Sequence, residues 1–164
     1  MQGILQAQPD DVPALMAQAA IHRQRGDAKN AAATYARVLQ TYPDFAPAQK
    51  RLAAIYAEKP EDLVKAHELA TKARRSLPDD ADLARTLGEI NFQRKDFAGA
   101  VQMFQQSARK APLPPKQLYH LGVAQLETRR EADGRQTIER AITEGLEGPL
   151  AEEAKRRLAE PAPK

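Results

Sequence analysis

The sequence has 164 residues, 42% of them hydrophobic, which is enough to bury a core and excludes disorder over the whole length. Aromatics make up only 5%, tryptophan and cysteine are absent and alanine recurs throughout, so the core is thin and helical, with no disulfide framework and no thiol chemistry. The 25 lysines and arginines against 22 aspartates and glutamates leave a net charge of +3, too small to demand a polyanionic partner, and no stretch reaches the roughly 20 apolar residues that span a bilayer.

From the amino terminus, Gly3 to Asp10 parallel Arg37 to Asp44 at a shift of 34 residues, with Leu5 against Leu39 and Pro9 against Pro43. Residues 1–10 are therefore expected to be the remnant of a preceding repeat, and the chain a piece of a longer array. The aspartates after Pro9 are expected to cap a helix over about 12–25, and Asp27 a second over about 28–41. After Pro43 the same reading has Asp44 open a pair of helices at about 46–58 and 62–76, with one extra residue in the Lys59-Pro60 turn. The aspartates after Pro78 open helices at about 81–94 and, behind Asp96, 97–110. A fourth pair is expected at about 115–128 and 131–144. Gly145 and Gly148 then stop the helix, and Pro149 starts a last one running to about Ala159. Its stripe of Leu150, Ala154 and Leu158 and its outer face, with Glu152 four residues before Arg156, suit a capping helix. Residues 161–164 form a tail.

These elements recur in register. Prolines at 9, 43, 78 and 112 are separated by 34, 35 and 34 residues, and the small residues Ala31, Ala66, Ala100 and Gly134 by 35, 34 and 34. Leu87-Gly88 returns as Leu121-Gly122. A helix of about 14 residues is marginal in water, so each must bury its apolar stripe on a neighbour. In the third pair, Leu83, Leu87 and Ile90 are expected to face Ala100, Val101, Phe104 and Ala108. Gly88 and Gly122 are read as places where the partner helix backbone leaves no room for a side chain.

The third pair supplies Leu87, Gly88, Asn91, Ala100, Phe104 and Pro112, which resembles the signature of the tetratricopeptide repeat family, with Ala84 in the tryptophan place and Asn91 in the tyrosine place. The first pair offers Leu15, Ala19, His22, Ala31, Tyr35 and Pro43, and the second Leu52, Ala53, Tyr56, Ala66 and Pro78. The fourth keeps Leu118, Leu121, Gly122, Ile138 and Ala141, with Leu146 where a proline is expected. The resemblance implies an all-α, right-handed superhelical solenoid: repeats at 12–45, 46–80, 81–114 and 115–148, then a capping helix at 149–160.

The family binds peptides or partner helices in a concave groove lined by the first helix of each hairpin, which makes a non-catalytic protein-interaction scaffold the leading expectation. Helical phase nominates Arg23, Lys50, Arg51, Arg85, Glu89, Phe92, Lys116, Tyr119 and His120 for that groove. The cations suit an acidic ligand, and Phe92 and Tyr119 would be apolar anchors. The carboxylate clamp by which some members grip chaperone tails does not carry over: the best frame places Met16, Ala20, Arg51, Asp82 and Thr86 there, with neither asparagine. The alternatives are the recruiting arm of a larger enzyme and an RNA-binding helical repeat, although no nucleic acid partner is expected. Self-association through an uncovered first hairpin is a further expectation.

No cofactor is expected. Histidines 22, 67 and 120 show no metal-ligand spacing, Asp79-Asp80 and Glu152-Glu153 lie at helix starts where capping accounts for them, and neither a phosphate-cradling glycine loop nor a serine nucleophile is present. The alanine- and arginine-rich composition resembles bacterial arrays, which makes cytoplasm or periplasm the expected compartment.

Overall fold

The computed structural model describes residues 11–160, and the remnant and tail expected at 1–10 and 161–164 lie outside the described residues. Among those described, the chain forms nine α-helices, one short 3₁₀ helix and no strand. They are α1 (Val12–Gln24), α2 (Ala28–Thr41), α3 (Ala46–Tyr56), the 3₁₀ helix Pro60–Asp62, α4 (Leu63–Ser76), α5 (Ala81–Gln93), α6 (Phe97–Ala108), α7 (Pro115–Glu127), α8 (Glu131–Thr143) and α9 (Gly148–Ala159). Four antiparallel hairpins result, α1 on α2, α3 on α4, α5 on α6 and α7 on α8, with α9 packed on α8 and α7. The chain divides into two compact units, Met1–Pro78 and Asp79–Lys164.

Aspartates set four of the helix starts. The side chain of Asp11 accepts from the Ala14 N–H at 2.7 Å, Asp27 from Asn30 at 3.1 Å, Asp80 from Leu83 at 2.8 Å and Asp96 from Gly99 at 3.0 Å. Each such cap is worth about 1 kcal/mol. Asp44 does not act this way, because the chain turns one residue later and Phe45, with no acceptor, becomes the cap residue of α3. Pro47 in the first turn removes one orphan N–H, and the buried Gln49 donates its Nε2 to the Pro43 carbonyl at 2.7 Å, tying down the turn instead.

The first helices of hairpins one, three and four end alike. Backbone N–H groups of Asp27, Asp96 and Arg130 reach back five residues to the carbonyls of His22, Asn91 and Gln125, each at 2.9 Å. That bond is the mark of a Schellman ending, which needs a left-handed residue just before the donor. Gly26 (φ 76°), Lys95 (φ 61°) and Arg129 (φ 61°) supply it. The second hairpin accommodates its extra residue in the 3₁₀ helix, where Asp62 holds Lys65 Nζ at 2.9 Å.

In the amino-terminal unit Leu15 and Ala19 of α1, Ala31, Tyr35 and Val38 of α2, and Ala48, Leu52 and Ile55 of α3 form one core. In the carboxy-terminal unit the core runs from Ala100, Val101 and Phe104 through Leu118, Leu121 and Ala124 to Ile138, Ala141, Leu146, Ala151 and Ala154. Gly122 sits where the sequence places a close approach, since a Cβ there would meet the Gly134 carbonyl oxygen at 3.0 Å and the Ile138 N at 3.1 Å. Gly88 differs. A Cβ there would meet the Phe104 ring at 2.6 Å, so a side chain rather than the partner backbone excludes it. Ala108 also departs from expectation: it is exposed, and the buried Ser107 faces α5 instead, donating Oγ to the Ala81 carbonyl at 2.8 Å.

Helix α9 is held at its far end by Arg135 of α8, whose guanidinium donates to the Leu158 carbonyl and, at 3.1 Å, to that of Glu160. The expected Glu152–Arg156 pair is replaced. Glu152 takes Lys155 at 2.9 Å, and Glu153 takes Arg157 at 3.2 Å on the side of the helix near Tyr119.

Candidate functional site

The first helices carry the nominated residues, and each unit presents its own set. In the amino-terminal unit Arg23, near the end of α1, and Arg51, in the middle of α3, are exposed, while Lys50 is half-buried. Arg23 forms a two-pronged pair with Glu58, one prong at 3.2 Å. Burial pushes the Tyr35 phenol up and the charges of Arg51 and Arg23 pull against that rise, which puts both guanidinium groups within electrostatic reach of the same ring.

In the carboxy-terminal unit the structure joins α5 to α7 through Glu89. One of its carboxylate oxygens lies 2.9 Å from His120 Nδ1 and the other 3.4 Å from Lys116 Nζ. The Glu89 and His120 side chains are 14% and 9% exposed, whereas Lys116 is 56% exposed, so the network runs from the interior to solvent. Phe92, one turn beyond Glu89 on α5, stacks flat on the His120 ring with centroids 4.2 Å apart and planes 10° from parallel, and meets Phe97 edge-on at 5.9 Å. Burial pushes the Glu89 carboxyl up. The hydrogen bond from His120, with the charges of His120 and Lys116, outweighs it and holds the group below the usual glutamate range.

Arg85 pairs with Asp82 at 2.9 Å on the same helix. Tyr119 does not lie on a ligand-facing surface: it is 2% exposed, so it cannot serve as an apolar anchor. Its ring belongs to the core. The hydroxyl makes no hydrogen bond of standard geometry, yet Glu153 and Arg157 of α9 act on it electrostatically, and burial first and Glu153 second push the phenol up to about 12. His120 is buried as well, presenting its ring to Phe92 rather than to solvent.

Three of the nominated cations thus already face carboxylates: Glu58, Asp82 and Glu89. Helical phase had nominated these cations without saying what they face. Pairs as exposed as Arg23–Glu58 and Arg85–Asp82 are worth about 0–1 kcal/mol, so an incoming carboxylate can exchange with them. Two of these partners carry a signal visible in the sequence, because Asp82 is three residues from Arg85 and Glu58 is 35 residues, one repeat, beyond Arg23. Glu153 and Arg157 carry none. Two of the histidines also face carboxylates that spacing did not reveal, His120 facing Glu89 and His22 facing Asp27 at 3.3 Å, but no group of three metal-ligating side chains exists among the described residues.

A family model described as tetratricopeptide repeat matches residues 51–115 and 96–149, and a second of the same description matches residues 13–44. No curated protein matches the chain. Among solved structures, a MamA fragment from Desulfovibrio magneticus RS-1 is 16% identical over 95% of this chain and 82% of its own, with a TM-score of 0.71. A second crystal structure of a MamA protein is 21% identical over 80% and 72%, at 0.65. The pilF protein of Pseudomonas aeruginosa is 20% identical over 89% and 66%, at 0.69. At these identities the likeness is one of fold.

Proposed function

The chain belongs to the tetratricopeptide repeat family, and from that premise we propose that it is a non-catalytic scaffold binding a protein segment along its first-helix faces. Repeats of this kind bury their own faces by stacking and leave the first-helix side open to a peptide or a partner helix. One observation carries the reading: Glu89 is held ionised between α5 and α7, and it positions the solvent-facing Lys116 beside the Phe92–His120 stack.

The ligand we favour is acidic. In the carboxy-terminal unit its carboxylates meet Lys116 and Arg85, and the amino-terminal unit, taken by itself, offers the same chemistry on Arg23, Lys50 and Arg51; the exposed intramolecular pairs described above exchange with them. The half-buried edge of Phe92 gives an apolar contact beside Lys116. The buried His120 and Glu89 orient these groups without touching the ligand.

Capture of partner proteins on the immobilised chain tests this, comparing wild type with a Lys50→Glu, Arg51→Glu, Arg85→Glu variant and separately with Lys116→Glu, each verified as folded by circular dichroism. Loss of the same partners from both variants is expected. An unchanged partner set in both would sink the assignment of these faces.

A further inference from the structure

An imidazole changes charge between about pH 5 and 8, which sets His120 apart from the carboxylate and the ammonium of the Glu89 network. Glu89 is ionised and lies 2.9 Å from His120 Nδ1, so that nitrogen carries a hydrogen and donates it, and Nε2 is left to take up a proton. The imidazolium is accommodated where it forms. Glu89 becomes its hydrogen-bonded counter-charge, and the flat Phe92 ring, with centroids 4.2 Å apart, gives it a cation–π contact.

Before that proton arrives, the first-helix face of the carboxy-terminal unit is electrically balanced: Lys116 offsets Glu89 at 3.4 Å, and Arg85 offsets Asp82 at 2.9 Å. Nothing packed around His120 cancels a new charge. Helix α6 carries no charged residue. On α9, Glu153 and Arg157 pair at 3.2 Å beside Tyr119, whose phenol is neutral with its pKa pushed up to about 12. On α8, Glu131 faces Arg135 and Asp133 faces Arg130. On α7 itself, Glu127 is exposed two turns beyond His120, about 10 Å along the helix and a screening length away.

Resting on the scaffold reading above, we propose that His120 is a proton-operated switch for the acidic ligand of this face. Protonated, it answers Glu89 by itself and leaves Lys116 as a surplus cation, so a carboxylate-bearing segment binds more tightly as the pH falls below neutrality. The Lys116 side chain is 56% exposed against 9% for His120, so the charge gained in the interior is presented to the ligand through the lysine. The coupling is reciprocal: a bound carboxylate draws a proton onto His120 by the same factor. One added charge several ångströms from a ligand carboxylate near the surface is worth about fivefold in affinity at low salt.

Anisotropy of a rhodamine-labelled oligoaspartate peptide at low salt tests this at about pH 6 and about pH 8, where the peptide stays ionised. Wild type is expected to bind about fivefold tighter at the lower pH. His120→Asn keeps a donor for Glu89 but cannot be charged, and should bind equally at both. Lys116→Glu should weaken binding at both. Side-chain nitrogen NMR of wild type gives a readout that needs no folded variant: adding peptide at about pH 6.5 should raise the protonated fraction of His120 and leave that of His67 unchanged. A pH ratio in His120→Asn equal to that of wild type, or a His120 signal blind to the peptide, overturns the switch and leaves the scaffold reading standing. Absence of peptide binding by wild type at both pH values, or binding indifferent to Lys116→Glu, overturns the scaffold reading and the switch with it.

Discussion

Gly122→Ala is the sharpest test of how α7 and α8 fit together. In an ordinary helix interior alanine is preferred to glycine by about 1 kcal/mol, so the change should stabilise. Here the added Cβ would stand 2.6 Å from Ile138 Cγ1, 3.0 Å from the Gly134 carbonyl oxygen and 3.1 Å from the Ile138 nitrogen. Ile138 is fully buried and two of the three neighbours are backbone, so relief requires α8 to move away bodily. That movement also disturbs Leu126, which packs into the space above Gly134. Overpacking costs about 1–3 kcal/mol, and with rigid neighbours the upper part of that range applies, leaving a net destabilisation of about 1–2 kcal/mol.

Urea unfolding followed by far-ultraviolet circular dichroism reads this as a lower midpoint at unchanged slope. Gly88→Ala provides the contrast, because its three nearest neighbours all belong to the Phe104 ring. In a Phe104→Leu background, where the side chain can turn aside, Gly88→Ala should lose most of its cost. Gly122→Ala should keep its cost beside Ile138→Val, since the backbone atoms remain. A Gly122→Ala chain as stable as wild type would refute the idea that close approach selects the glycine.

Three further outcomes follow from the same geometry. Lys95→Gly and Arg129→Gly should each raise stability by about 0.5–1 kcal/mol, measured by urea unfolding, since each places glycine at a left-handed helix end. Glu89→Gln should destabilise at neutral pH: the folded-state pKa of Glu89 lies below the unfolded one, so its contribution is fully present above the ordinary glutamate range. It disappears as pH falls through the folded value, so the gap between wild type and Glu89→Gln, followed by unfolding at several pH values, should close on acidification. Arg135→Ala leaves the last carbonyls of α9 without their donor and should loosen that helix by about 1 kcal/mol, seen as faster amide exchange confined to α9.

Helix placement was legible because its signals are local. Asp11, Asp27, Asp80 and Asp96 act through a bond three residues away, and the Pro and Gly markers repeat at a fixed interval. Asp44 shows the limit of that reading. Whether a residue caps depends on where the turn before it closes, and Gln49 closes the Pro43 turn from within the helix that follows. The Ala108 expectation failed for a related reason: Ser107, on the same face as Ala100 and Phe104, is buried because its hydroxyl is satisfied on the Ala81 carbonyl, 26 residues away.

The site was legible only in part, because a helical phase says which residues share a face but not what covers that face. Tyr119 and His120 are neighbours, about 100° apart around α7. One therefore turns toward α9, where Glu153 and Arg157 surround its hydroxyl, while the other turns toward α5 and stacks on Phe92. Neither destination follows from α7 itself. The charges show the same thing more generally: composition counts cations, whereas the fold decides which of them face a carboxylate on the neighbouring repeat, as Arg23 faces Glu58 and Lys116 faces Glu89. Lys95 and Arg129 are informative for the opposite reason. Their turns leave them exposed at left-handed angles, and what holds them there is local: the backbone bonds from the Asp96 and Arg130 N–H groups that close each helix end.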